Sequence, residues 1–436
     1  MTPISSTAPA ATAHSSADQH TRSLIILTVL FFMWGLLTSL NDVLIPHLKS
    51  IYTLSYTQAM LVQFCFFGAY FIVSVPAGML IKRIGYQQGA VTGLVIAAIG
   101  CVLFYPAANS GYGVFLFAFF VLAAGITILQ VAANPYVTVL GDPKTASSRL
   151  TLTQAFNTLG TTVGPLFGGM LILAGATVIS SSDLAQMPAA EQAAYRAQEA
   201  ATVQGPYLLL AAALAALAVF FAMAKLPKIH HADEPGTQVA GAASESLFAH
   251  RNLVLGALAI FLYVGAEVSI GSFLVSYLGE SRIAGLAPAT AAAYVSYYWG
   301  LAMVGRFIGF AVMRRVSPGK TLAFNASCAM ALILTSILAQ GPLAMWAILG
   351  VGLFNSIMFP TIFSMALHRL GKHTGQGSGI LCMAIVGGAL VPFGQGLVAD
   401  SLGIQWSFFV PLVCYGFILY FGARFAGLYH APSASV

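Results

Sequence analysis

The segment YGVFLFAFFVLAAGITILQVAANPYVTVL, residues 112 to 140, contains no charged side chain. A helix needs only about 20 apolar residues to cross the hydrocarbon core of a bilayer, so this segment is long enough to span one. Its polar residues Gln130, Asn134 and Thr138 are spaced four apart and therefore share one face, beside Pro135. The segment predicts a membrane helix with a polar stripe.

The rest of the chain has the same character, because 58% of its 436 residues are hydrophobic and only 7% are charged. A soluble domain carries about 25% charged residues. The apolar runs are far longer than the roughly ten-residue alternating segments of a β-barrel, so an all-α membrane protein is predicted. Twelve spans are expected, at about residues 24–52, 59–82, 88–107, 112–140, 147–176, 205–225, 252–279, 290–313, 320–339, 342–370, 376–400 and 404–428.

The 18 basic residues indicate the orientation of these spans. With a cytoplasmic N-terminus, all of them fall on the cytoplasmic side except Lys49, Arg196 and Arg282, which lie outside, and Arg306, which lies within span 8. This is the positive-inside pattern. It places both termini in the cytoplasm and explains the net charge of +6 without a nucleic-acid partner. No cleaved signal peptide is expected, because no basic cluster with a cleavage site frames the first apolar run.

The spans divide into two groups of six, the arrangement of a transporter built from two repeats. We expect an N-terminal tail (1–22), a first half (23–225), a cytoplasmic linker (226–250), a second half (251–428) and a C-terminal tail (429–436). An offset of 225 positions supports the repeat, since it relates Asp42 to Glu267 and Pro135 to Pro360.

Two acidic residues, Asp42 and Glu267, lie inside predicted spans. An acid at membrane depth is costly and usually faces a cavity with a functional role. Burial also disfavours the charged form of a carboxyl group, as proton coupling requires. The alternative is an acid that only holds helices together through a hydrogen bond. We expect Asp42 and Glu267 to be the ion-coupling groups.

Amide side chains are the candidate ligands for an uncharged, hydroxyl-rich substrate, because an amide both donates and accepts hydrogen bonds. Hydrogen bonding between helices is the alternative role. Aromatic rings offer flat surfaces for the apolar face of a sugar. The candidate substrate-binding residues are Asn41, Gln130, Asn134, Gln154, Asn157, Tyr263, Tyr298 and Asn355.

Two cytoplasmic loops with similar glycine and basic patterns are candidate gates, with plain topology determinants as the alternative. They contain Lys82 with Arg83, and Arg314 with Arg315. We expect Arg306 to be structural, pairing with an acid or reaching the interface. The sequence predicts no metal site and no cofactor, and no ATP-binding loop, because SPGKT (317–321) lacks the first glycine of that motif. It shows no nucleophile and base arrangement of an enzyme.

Five segments together resemble the fucose permease family of the major facilitator superfamily, in particular its bacterial glucose/galactose transporter branch. They are TSLNDVLIPHLK (38–49), AGITILQVAANPYVTVLG (124–141), SSRLTLTQAFNTLGTTVGP (147–165), YVGAEVSIGSFLVSYLG (263–279) and FPTIFSMALHRLG (359–371). The resemblance implies a twelve-helix, alternating-access carrier that holds its ligand between the halves and is driven by a cation gradient.

The resemblance also assigns residues. Asp42 matches an aspartate used in proton coupling, and Gln154 and Asn157 match positions that face the sugar. The chain departs from the family at Gln130, where fucose permeases carry a glutamate, and at Glu267, where they carry a glutamine. These departures put fucose in doubt as the substrate and leave the coupling ion open.

The sequence thus predicts a monomeric transporter of the bacterial inner membrane that takes up glucose and galactose with protons. Sodium coupling, uptake of fucose or N-acetylglucosamine, and a sugar sensor that does not transport are the alternatives.

Overall fold

The computed structural model describes residues 20–36, 56–168, 187–224, 226–227 and 247–429, and within these ranges the regular structure is entirely helical. The helices are α1 (His20–Leu36), α2 (Tyr56–Ile84), α3 (Tyr86–Ser110), α4 (Tyr112–Val139), α5 (Ala146–Gly168), α6 (Ala189–Met223), α7 (Arg251–Gly279), α8 (Pro288–Val312), α9 (Pro318–Leu338), α10 (Gly341–Asn355), α11 (Met358–Leu367), α12 (Thr374–Met383), α13 (Gly387–Leu402), α14 (Ile404–Ser407) and α15 (Phe409–Arg424). Short 3-10 turns cover Pro143–Thr145, Leu247–Ala249, Gly371–His373 and Ala384–Val386.

These helices correspond to the predicted spans, and the expected all-α, twelve-span fold is confirmed. Ten helical segments of the described chain are long and apolar enough to cross a membrane, and α1 and α5 occupy the positions of spans 1 and 5. Three predicted spans are interrupted: α10 and α11 form span 10, α12 and α13 form span 11, and α14 and α15 form span 12. The linker residues 228–246 lie outside the described residues, as do most of both tails.

Glycine allows the closest helix contacts in the first half. A Cβ atom added to Gly125 of α4 would lie 2.3 Å from the backbone nitrogen of Ala97 in α3. The backbones of α3 and α4 therefore touch directly, as small residues permit in a membrane where no hydrophobic effect drives helices together. This contact fixes α4, the helix that presents the polar stripe.

The most extensive contacts between the two halves join α2 with α12 and α5 with α8, and further contacts join α5 with α11 and α4 with α12. In the repeat of six spans, span 2 (α2) corresponds to span 8 (α8), and span 5 (α5) corresponds to span 11 (α12 and α13). The contact of α2 with α12 is therefore matched by the contact of α8 with α5. Such paired contacts are what a repeat of six spans would produce.

Polar contacts between the halves gather toward the face predicted to be cytoplasmic. The Oγ atoms of Ser147 (α5) and Ser364 (α11) lie 2.6 Å apart. The hydroxyl of Ser148 donates to the carbonyl oxygen of Phe310 at 2.8 Å, and the hydroxyl of Ser378 donates to that of Val131 at 2.8 Å. The halves are thus closed against each other on this face.

The candidate gating residues Lys82, Arg83, Arg314 and Arg315 are exposed. The guanidinium of Arg314 lies 5.9 Å from the ring centre of Phe310, the residue whose carbonyl accepts from Ser148. Their role in gating stays a prediction.

Candidate functional site

A cavity lies between the two halves and contains about 630 Å³ of space, including its open mouth. The part of this space that a ligand can occupy is about 210 Å³, which is smaller than the roughly 300–1,000 Å³ of pockets that hold drug-sized molecules. The first half contributes Trp34, Tyr70, Gln130, Gln154 and Asn157, and the second half contributes Val264, Glu267, Arg306, Phe359, Pro360 and Ile385. Both halves therefore build one site.

The wall from the first half presents amides that other groups hold in place. The hydroxyl of Tyr70 donates a 2.6 Å hydrogen bond to Oε1 of Gln130, and Nδ2 of Asn157 donates to the carbonyl oxygen of Phe31 at 2.9 Å. Each amide keeps its remaining polar groups for a ligand. The wall can thus both donate to and accept from hydroxyl groups.

Gln154 is held from behind by Asn134. Nε2 of Gln154 donates to Oδ1 of Asn134 at 3.3 Å. Asn134 is fully buried, and its Nδ2 atom finds no partner among the described residues. Asn134 thus orients Gln154 and does not itself line the cavity.

The wall from the second half contains an acid and a base, Glu267 of α7 and Arg306 of α8. Arg306 is close enough for its positive charge to act on the Glu267 carboxyl group. Oε1 of Glu267 also accepts a 2.8 Å hydrogen bond from the hydroxyl of Tyr263, one helical turn before it. A charged acid at this depth therefore has both a counter-charge and a hydrogen-bond donor.

Behind this wall lies a buried group of four polar side chains, Tyr263, Tyr298, Asn355 and Tyr415. Nδ2 of Asn355 donates to the hydroxyl oxygen of Tyr298 at 2.5 Å, and the hydroxyl of Tyr415 donates to Oδ1 of Asn355 at 2.5 Å. The Asn355 amide is thus engaged at both ends by protein groups.

The structure therefore divides the predicted site residues into those that line the cavity and those that do not. Gln130, Gln154, Asn157 and Glu267 line one cavity, as expected of a site between the halves. Four others, Asn134, Tyr263, Tyr298 and Asn355, are buried outside its lining, so they reach a ligand only in a different conformation. Asn41 and Asp42 lie outside the described residues.

Sequence reasoning missed two groups at the cavity. Arg306 was expected to have a structural role, yet it lines the site. The signal for its position was that it lies farther from the end of a predicted span than any other basic residue. Tyr70 lines the site as well, but nothing in the pattern of its span distinguishes it from a packing tyrosine.

Comparison with known proteins identifies the family. The model of the Major Facilitator Superfamily matches residues 26–385. The chain belongs to the Major Facilitator Superfamily. Members of this family are multi-pass membrane transporters, so the chain is a multi-pass membrane transporter.

The relatives within this family match nearly the whole chain. The chain is 56% identical over 422 residues to the glucose/galactose transporter of Brucella abortus, covering 97% of this chain and 98% of that protein. It is 38% identical to the L-fucose-proton symporter of Escherichia coli strain K12, covering 92% of each. The crystal structure of FucP, a Major Facilitator Superfamily transporter in the outward conformation, superposes with a TM-score of 0.85 at 34% identity, covering 94% of this chain and 99% of that one.

Proposed function

We propose that this protein takes up a hexose, glucose or galactose, together with protons by alternating access. The cavity between the halves carries this proposal, because it combines neutral amides on one side with an acid on the other. A relative that is 56% identical bears the name glucose/galactose transporter, which supports the choice of sugar. The protein would work as a monomer in the inner membrane of a bacterium, with both termini in the cytoplasm.

The cavity is suited to a neutral sugar. Gln130, Gln154 and Asn157 supply donors and acceptors without a net charge, and the indole of Trp34 supplies a flat apolar surface. A monosaccharide is smaller than a drug-sized ligand, which agrees with the cavity volume of about 210 Å³. Asn41 is a further candidate contact.

Coupling requires that protonation and sugar binding favour the same conformations of the carrier. Glu267 meets this need because the same cavity exposes it to the sugar and to the charge of Arg306. Asp42 is the second coupling group that we propose. No cofactor is needed, because a cation gradient supplies the energy. Sodium is the alternative coupling ion.

L-fucose is the second candidate substrate, favoured by the 38% identity to the L-fucose-proton symporter of Escherichia coli. The resemblance to fucose permeases argues against it at two cavity positions. An amide, Gln130, stands where those proteins carry a glutamate, and Glu267 stands where they carry a glutamine. The acid thus contacts the sugar from the opposite half.

Reconstitution in liposomes tests this function. We expect exchange of external labelled glucose and galactose for internal sugar, and accumulation when a proton gradient is imposed. Fucose, mannose and N-acetylglucosamine should compete weakly, and a sodium gradient alone should drive no accumulation. Binding of sugar without exchange would instead identify a sensor, and preferred exchange of fucose would identify the second candidate.

A further inference from the structure

The interruption between α10 and α11 is stabilised by side chains. Four consecutive backbone carbonyls each accept a hydrogen bond from a different side chain. Ser356 Oγ donates to Leu353 O at 2.6 Å, Asn325 Nδ2 to Phe354 O at 3.0 Å, Tyr263 OH to Asn355 O at 3.1 Å, and Arg306 Nε to Ser356 O at 3.1 Å. Since lipid offers no partner for free carbonyls, these side chains make the interruption possible.

Pro360 explains the position of the interruption. In a continuous helix the amide of residue 360 would donate to the carbonyl of Ser356, but proline has no N–H. Instead, Nε of Arg306 donates a hydrogen bond to the carbonyl oxygen of Ser356. The regular pattern resumes one residue later, where the amide of Thr361 donates to the carbonyl of Ile357 at 3.0 Å.

Two of the four donors connect this interruption to the cavity. Arg306 lines the cavity itself, and the hydroxyl of Tyr263 also lies 2.8 Å from Oε1 of Glu267. A tyrosine hydroxyl has one hydrogen, so Tyr263 cannot donate fully to both Glu267 and the carbonyl of Asn355.

We propose that Tyr263 is a positioning residue that transmits the charge state of Glu267 to the interruption between α10 and α11. A charged carboxylate is the stronger acceptor and draws the Tyr263 hydrogen to itself, which weakens the bond to Asn355 O. A protonated Glu267 can donate to the Tyr263 oxygen instead, and the Tyr263 hydrogen then turns to Asn355 O. This inference rests on the proposed function, because it takes Glu267 to be a coupling group.

Neighbouring side chains hold Asn355, the second acceptor of the Tyr263 hydrogen, in place. Arg306 from α8 and Tyr263 from its own helix act on Glu267 in the described structure, and the charge of Glu267 acts in turn on Tyr298 from α8 and Tyr415 from α15. Tyr298 and Tyr415 hold the side chain of Asn355, the residue whose carbonyl Tyr263 reaches. The acceptor is thus fixed, and the hydrogen of Tyr263 is the part that moves.

The interruption is placed to act on the contact between the halves. α11 begins just after it and carries Phe359 and Pro360 into the cavity wall. Further along α11, Ser364 meets Ser147 of the first half at 2.6 Å. A change in the angle of α11 would therefore alter the cavity and this inner contact together.

The test compares Y263F with a matched control, Y277F, in liposomes. Tyr277 also belongs to α7, is fully buried and donates to a backbone carbonyl, that of Ser336 at 2.6 Å, but it does not contact Glu267. We expect the ratio of proton-driven accumulation to sugar exchange to fall about tenfold in Y263F, the effect of losing one hydrogen bond to a charged group. The pH dependence of exchange should flatten as well. Y277F should keep both properties of the natural protein.

A double variant shows whether Tyr263 acts through Glu267. In an E267Q background, Y263F should cause no further change in the pH dependence of exchange. P360A offers an independent test, because it restores an amide N–H that can bond Ser356 O and should also lower the ratio of accumulation to exchange.

Three outcomes would contradict the inference about Tyr263, and they show whether the proposed function fails with it. A Y263F protein with the natural ratio and pH dependence overturns the inference and leaves the proposed function intact. If Y263F does not fold, a P360A protein with the natural ratio and pH dependence overturns it in the same way. A natural protein that neither exchanges nor accumulates sugar overturns the proposed function, and this inference with it.

Discussion

Gly78 of α2 and Gly375 of α12 bring the backbones of the two halves into direct contact: a Cβ atom on Gly78 would lie 2.7 Å from the carbonyl oxygen of Gly375. The obstacle is backbone, so a side chain at this position must push the helices apart. We therefore expect G78A to weaken the closed arrangement at the face predicted to be cytoplasmic, raising the population of the open one roughly tenfold.

Alkylation of Cys382 measures this opening. Cys382 is fully buried in α12, the helix that packs on α2, so its reaction with N-ethylmaleimide reports separation of the halves. G68A is the matched control, because a Cβ atom at Gly68 of the same helix meets nothing within 4 Å. Equal alkylation rates in G78A and G68A would contradict the prediction.

Tyr70 provides a test of the amide wall. Y70F removes the donor that holds Oε1 of Gln130, so the amide is free to turn away from the sugar. We expect the half-saturating sugar concentration for exchange to rise roughly threefold to tenfold, the effect of one neutral hydrogen bond. Y420F, at an exposed position on α15, serves as the control and should leave this concentration unchanged. An unchanged value in Y70F would show that Gln130 does not contact the sugar.

Asp42 is the first of the two proposed coupling groups. D42N cannot release a proton, so we expect proton-driven accumulation to be lost while some sugar exchange continues. The measurement compares accumulation under a proton gradient with exchange at equal pH on both sides. Full proton-driven accumulation by D42N would remove Asp42 from the coupling mechanism.

Glu267 is the second proposed coupling group, and its place in the cavity predicts a different result. E267Q keeps the shape of the side chain but removes its charge next to Arg306. We expect weaker sugar binding or an altered dependence on the coupling ion, measured as half-saturation at several pH values and sodium concentrations. If neither changes, Glu267 has only a packing role.

The fold could be predicted from the sequence because apolar length is a local property. Each span is a run of residues such as 112–140, and lipid forces such a run to be helical. The interruptions of spans 10, 11 and 12 escaped prediction. Pro360 marks one of them, but a proline in a membrane helix is usually accommodated within it. The stable interruption here requires Asn325, Tyr263 and Arg306 from three other helices, which no local pattern reveals.

The site could be predicted only in part for the same reason. Gln130, Gln154 and Glu267 were found because polar groups at membrane depth are costly wherever they point. Whether such a group lines the cavity or lies behind it depends on packing between helices. Asn355 shows the difference, since its amide is held by Tyr298 and Tyr415, which are distant in the sequence.

His368 predicts a pH dependence of stability at the face predicted to be cytoplasmic. The structure ends α11 at Leu367, so His368 lies past the end of that span, and its ring centre is 4.4 Å from that of Tyr429. Burial first, and the neighbouring Arg369 second, lower the pKa of His368 from 6.5 to about 4, against a backbone hydrogen bond with Leu428 that raises it. The folded protein thus holds His368 neutral where the unfolded chain binds a proton.

Stability should therefore fall as the pH drops from 6.5 toward about 4, because protons bind the unfolded chain more strongly over this interval. H368Q has no ionisable group at this position, so its melting temperature in detergent should fall less steeply across the interval than that of the natural protein. The slopes are compared rather than the absolute values, since H368Q also loses the ring contact with Tyr429. If H368Q keeps the natural slope, protonation of His368 does not control stability at this face.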